Sequence, residues 1–114
     1  MKIKLLITLI LTLASLNGCE GTNPHPMDMS EAVQNANSKA DHEALAEHYE
    51  GAAAEMQAKV DEHKKLLTQY QAKSYLYGRQ AQDFKAHCEA LINAYEKAAE
   101  ANLSMATMHR TLSH

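Results

Sequence analysis

Apolar side chains in the second half of the chain repeat at intervals of three and four residues. One register of this repeat is mostly apolar and consists of Phe84, Leu91, Ala98, Met105 and Leu112. The interleaved register is partly polar and consists of Ala81, Cys88, Tyr95, Asn102 and His109. This alternation is typical of a helix that packs against another helix in a left-handed coiled coil. The segment is therefore predicted to be a long helix with a partly polar seam.

The first half of the chain shows the same repeat, and a glycine separates the two halves. Its registers are His42, Tyr49, Met56, His63, Tyr70 and Tyr77, and Ala46, Ala53, Val60, Leu67 and Ser74. Ser38, with Asp41 three residues later, is a typical helix start, and Gly78 is a typical helix stop. We therefore predict helices over about 38–77 and 80–112, each about 50 Å long.

Two long helices joined by a tight turn predict an all-α fold, an antiparallel helical hairpin over residues 38–114. Pairing about residue 79 gives apolar layers: Leu67–Leu91, Val60–Ala98, Ala53–Met105 and Ala46–Leu112. The intervening layers carry polar atoms: Tyr70–Cys88, His63–Tyr95, Met56–Asn102 and Tyr49–His109. One hairpin buries little core for its length, so we expect two copies to form a four-helix bundle, or the hairpin to dock on another helical protein.

The polar layers have two interpretations. In the first they are structural, and each imidazole is hydrogen-bonded to a tyrosine hydroxyl across the seam. In the second they provide a transition-metal site at the open end of the hairpin, where Met105 and His109 share one helix face. The candidate ligands are His42, His48, Met105, Met108 and His109. Imidazole with thioether favours copper, and imidazole with the carboxylate of Glu43 or Glu47 favours nickel, cobalt or zinc.

The N-terminus indicates export. Lys2 and Lys4 precede an apolar run that is too short for a comfortable membrane span. The residues Leu16-Asn17-Gly18-Cys19 resemble a bacterial lipobox. The resemblance implies cleavage of the signal peptide at residues 1–18, lipid on Cys19 and a membrane anchor in the cell envelope, facing the periplasm. Residues 19–37 are predicted to be a flexible tether, because they contain Pro24 and Pro26.

Charge, cysteine content and the residue after Cys19 bear on which molecules and which membrane the chain contacts. Without Lys2 and Lys4, nine basic side chains face 14 acidic ones, which argues against nucleic acid as a partner. If Cys19 carries lipid, Cys88 is left as the single thiol. In the usual Gram-negative sorting rule, an aspartate after the lipidated cysteine retains the protein at the inner membrane. Glu20 stands there instead and favours the outer membrane.

Two further resemblances concern the hairpin. The Met105/His109 pair and the tethered helical architecture are similar to periplasmic metal-sensing hairpins of nickel and cobalt resistance systems. The segment Leu67-Thr68-Gln69-Tyr70-Gln71 is similar to the LTxxQ pattern of periplasmic stress chaperones of the Spy and CpxP type. We therefore expect a metal-binding or metal-sensing lipoprotein. The alternative is a structural, adaptor or chaperone-like module. No catalytic motif is present, so we expect no enzyme.

Overall fold

The computed structural model describes residues 27–114, and within them the chain forms four helices and no strand. These helices are α1 (Met29–Asn35), α2 (Lys39–Ala72), α3 (Ser74–Tyr77) and α4 (Gln80–Leu112). The long helices α2 and α4 pack against each other as an antiparallel hairpin, which confirms the predicted all-α fold. No helix in this part of the chain combines the length and apolarity that a membrane span requires. The predicted signal peptide, Cys19 and the start of the tether lie outside the described residues.

Local sequence signals set the ends of the long helices. The Ser38 hydroxyl accepts a hydrogen bond from the Asp41 amide at 3.1 Å, and the Asp41 carboxylate accepts one from the Ser38 amide at 2.9 Å. This capping box satisfies amide groups that would otherwise lack partners at the start of α2. Gly78 has φ of 54°, a conformation that glycine adopts without the steric cost of a Cβ. The predicted helix start and the predicted turn are both confirmed.

Two segments differ from the sequence-based expectation. The first long helix ends at Ala72 rather than near Tyr77, because Lys73 leaves the helical region with φ of −107° and ψ of 20°. Residues 29–35 form α1, although the tether was predicted to be flexible over its whole length. Asp28 caps this helix by accepting a hydrogen bond from the amide of Glu31. The neighbouring proline and asparagine residues favour a loop, so the sequence pattern did not indicate this capped helix.

The core of the hairpin uses a different face of α4 from the predicted one. The buried side chains are Leu45, Ala46, Ala53 and Val60 from α2, and Cys88, Ile92, Ala99 and Ala106 from α4. Leu91 is 40% exposed and Leu112 is 58% exposed, so the predicted layers Leu67–Leu91 and Ala46–Leu112 are wrong. The partly polar register was placed correctly, and its apolar companion lies one residue later along α4. Aromatic rings from the polar register fill much of the seam. The small side chain of alanine is therefore sufficient in the layers between them.

Candidate functional site

The open end of the hairpin is closed by three stacked rings. His109 of α4 inserts between His42 and Tyr49, which are seven residues apart on α2. The His109 ring centroid lies 5.3 Å from that of His42 and 5.7 Å from that of Tyr49. The Tyr49–His109 layer was predicted, and its rings meet by stacking at an interplanar angle of 7° rather than through the tyrosine hydroxyl.

Arg110, which follows His109 on α4, forms a second set of contacts with α2. The Arg110 guanidinium donates two hydrogen bonds to the Glu50 carboxylate, at 2.9 and 3.0 Å, and a further one to Glu43. Glu43 and Glu50 follow His42 and Tyr49 directly in the sequence, so the same seven-residue spacing positions both sets. Hydrogen bonding from Arg110 lowers the pKa of Glu50. The two carboxylates thus fix the end of α4 beside the ring stack.

The two histidines present a pair of nitrogen atoms that can serve as metal ligands. Nδ1 of His42 lies 3.1 Å from Nδ1 of His109. Two nitrogens bound to one metal at about 2.0–2.1 Å are about 3.3 Å apart at a tetrahedral angle and about 2.9 Å apart at a right angle. The observed separation lies between these values. It also suits a hydrogen bond, in which one Nδ1 carries a proton and the other accepts it.

Burial favours the neutral form of His109, which is the form of imidazole that can bind a metal. Burial lowers the pKa of His109 below its usual 6.5, and the neighbouring His42 adds to the lowering. The ring is therefore more often neutral at neutral pH than an exposed imidazole. A neutral imidazole has a nitrogen lone pair to donate, whereas the protonated ring has none.

The remaining predicted ligands are placed around this pair. His48 presents its ring to the edge of Tyr49, with centroids 5.6 Å apart. Met105 is half-buried on the helical turn before His109, and Met108 is 54% exposed. Within residues 27–114, no group of three or more His, Cys, Asp or Glu side chains is placed to hold a metal ion. Of the predicted ligands in the described residues, His42 and His109 are thus the pair whose nitrogen atoms approach each other.

The other predicted polar core residues form packing layers. His63 stacks on Tyr95 with ring centroids 5.6 Å apart, which confirms that these residues face each other. The expected hydrogen bond to the tyrosine is not formed, and the buried Nδ1 of His63 has no hydrogen-bond partner among the described residues. Cys88 is a buried free thiol.

Two clusters in the structure were not predicted from the sequence. Tyr70 stacks on Phe84 at 4.8 Å, and Tyr77 meets both rings edge-on, at 5.6 and 5.0 Å, which closes the turn end of the hairpin. The seven-residue spacing of these three aromatics across Gly78 was a usable signal. The second missed cluster is the set of ion pairs made by Arg110, which the equal spacing of Glu43 and Glu50 could have indicated.

Comparison of the chain with family models, with curated proteins and with solved structures gave no match.

Proposed function

We propose that this protein is a lipid-anchored, non-enzymatic protein of the bacterial envelope that binds one transition-metal ion at the open end of its hairpin. The observation that carries the proposal is the 3.1 Å separation of Nδ1 of His42 from Nδ1 of His109. The lipobox-like segment ending at Cys19 supports the envelope location, with the outer membrane favoured. The metal classes that suit imidazole ligands are copper, nickel, cobalt and zinc, of which Cu(II) is expected to bind most tightly.

A site with two protein ligands favours exchange of the metal ion with the surroundings over its permanent storage. Structural zinc sites in proteins use four protein ligands, and catalytic sites usually use three. With His42 and His109 alone, the other coordination positions go to water, to a thioether or to ligands from another molecule. One ligand comes from each long helix, so a bound ion links α2 to α4. Metal occupancy would therefore stabilise the closed hairpin, which is the change that a sensor needs to report.

The test is isothermal titration of the purified full chain, without a histidine tag, with Cu(I), Cu(II), Ni(II), Co(II) and Zn(II). We expect binding tighter than micromolar for at least one ion, and loss of that binding in His109→Ala and in His42→Gln. The matched control is His87→Ala, because His87 is exposed on α4 away from the pair. No binding tighter than micromolar, or an equal loss in the control, would contradict the proposal.

A second candidate function, a structural or adaptor module, is favoured by the stacking of His63 on Tyr95. That stack lies two heptads from the open end and resembles the Tyr49–His109 stack in its geometry. If stacking is the whole role of His109, His109→Phe retains the stability of the protein and changes no metal affinity. If His109 is a ligand, the same variant keeps the fold and loses the metal-dependent rise in melting temperature.

A further inference from the structure

A second, mostly apolar stripe runs along α4, beside the seam that packs on α2. Its members again alternate at intervals of three and four residues: Phe84, His87, Leu91, Ala94, Ala98, Ala101, Met105, Met108 and Leu112. Six of them are exposed, and Phe84, Ala98 and Met105 are half-buried. Five of these nine residues belong to the mostly apolar register that was predicted to form the hairpin core. The regular spacing therefore predicts a second helix partner for α4.

The two flanks of the hairpin differ in character. On one flank, ion pairs join the helices, from Lys64 to Glu96 at 3.1 Å and from Arg110 to Glu50 at 2.9 Å. The stripe lies on the other flank, where α4 presents leucine, methionine and alanine. An exposed apolar band of this length, bordered by a polar flank, is typical of a surface that binds another protein.

We propose that a second copy of the chain covers the stripe, with the two α4 helices antiparallel and crossing at the alanines. Side-chain size along the stripe is nearly symmetric about its middle. Ala94, Ala98 and Ala101 occupy the centre, and larger side chains occupy both ends. A twofold interface uses the same patch from each copy, so a patch of this symmetry fits itself when one copy is reversed. Small central residues allow two helices to approach closely at their crossing.

The available surface is large enough for a stable dimer. The stripe from Phe84 to Leu112 is about 42 Å long at the rise of an α-helix. A face two helices wide is about 20 Å across, which gives about 800 Å² for each copy. This is about the area that one partner contributes to a standard protein interface. On α2, the half-buried Ala52 and Leu66 lie on this face, and the exposed ion pair of Lys59 with Glu62 separates them. The proposed interface requires no bound metal.

The first test is the mass of the full chain by sedimentation equilibrium, in a detergent that is density-matched to the buffer. We expect twice the chain mass for the wild type and the chain mass for Ala101→Glu, because a charge at the crossing opposes close approach. The matched control is Ala86→Glu, at another exposed alanine of α4 outside the stripe, which should stay dimeric. Circular dichroism checks that both variants remain helical.

Three results would contradict this proposal. A wild type at the chain mass, or equal behaviour of the two glutamate variants, would overturn the proposed interface. Orientation is tested with a spin label on Asp83→Cys, since Asp83 is exposed beside the stripe. Antiparallel crossing near Ala98 separates the two labels by about 45 Å, from about 30 residues of helix rise. A separation below about 20 Å would indicate parallel helices and overturn the orientation.

Discussion

The two ends of the hairpin are both closed by three aromatic rings, but the rings differ in chemistry and in support. At the turn end, Tyr70, Tyr77 and Phe84 pack beside the loop that connects the helices. At the open end, His109 lies between two rings of α2, and Arg110 pairs with two carboxylates beside it. The turn end depends on apolar contact and chain connectivity, whereas the open end combines buried apolar side chains such as Leu45 and Ala46 with imidazole and ion-paired groups.

This difference indicates where the hairpin can respond to its surroundings. Apolar stacking changes little with salt or with pH in the neutral range, but imidazole and ion-paired groups respond to protons, salt and metals. The open end also has no covalent link between α2 and α4, so local separation begins there more easily. We therefore expect the turn end to determine the overall stability and the open end to determine the response.

The largest expected loss of stability is at the turn end, in the variant Phe84→Ala. The ring contacts both Tyr70 and Tyr77, and its removal leaves a gap in the cluster. Truncation of a fully buried phenylalanine costs about 3–5 kcal/mol, so we expect about 2 kcal/mol for this half-buried ring. Urea unfolding followed by circular dichroism measures the loss. Tyr75→Ala, at a position 79% exposed, is the control and should unfold as the wild type does.

A smaller effect is expected at the start of α2, in Ser38→Ala. The substitution removes the acceptor for the Asp41 amide and should lower the free energy of unfolding by about 1 kcal/mol. Lys39→Ala, at an exposed neighbour that makes no capping bond, is the control. Equal stability of Ser38→Ala and the wild type would show that this helix end contributes little.

The same cap predicts a pH dependence. The hydrogen bond from Ser38 is the main cause that lowers the pKa of Asp41 below 3.8, and backbone amides add to it. Below pH 3.8 the unfolded chain takes up the proton first, so this contribution is present above that pH and is lost as the pH falls through the folded-state pKa. Acid titration of Asp41→Asn against the wild type measures the difference, which should vanish in strong acid.

The smallest effect is expected for Arg110→Met at the open end. Its ion pairs are exposed to solvent, so we expect a smaller loss of stability than for Ser38→Ala, and a still smaller one at high salt. Hydrogen exchange should accelerate near residues 42–50 and remain unchanged near the turn. Lys64→Met, which breaks a single contact to Glu96, is the control with a smaller effect. Faster exchange at both ends would contradict a response confined to the open end.

The sequence predicts the parts of this fold that depend on neighbouring residues. Ser38 with Asp41 set the start of α2, Gly78 set the turn, and α4 has the predicted bounds. The choice between two adjacent stripes of α4 failed because both are apolar. Leu91 and Ile92 are alike in hydrophobicity, and the packing across the seam, which buries Ile92 and leaves Leu91 40% exposed, is not encoded in that likeness.

The candidate site was predicted in part for a similar reason. Heptad spacing placed Tyr49 opposite His109, because side chains seven residues apart share a face. The approach of His42 to His109 depends on ring rotamers, which the spacing does not determine. Whether Met105 completes a ligand set depends on rotamers as well. Lipid on Cys19, a bound metal and the envelope location stay predictions, as does the absence of catalysis.

The burial of Cys88 has a consequence for the lifetime of the protein. Its thiol lies in the seam between the long helices and is only 5% exposed. A thiol in this position meets an oxidant or an alkylating reagent only while α2 and α4 are apart. In an oxidising compartment, the rate of Cys88 modification would therefore equal the rate of oxidation of an open thiol multiplied by the fraction of molecules that are open. Each kilocalorie of seam stability would lengthen the reduced lifetime of the chain about fivefold.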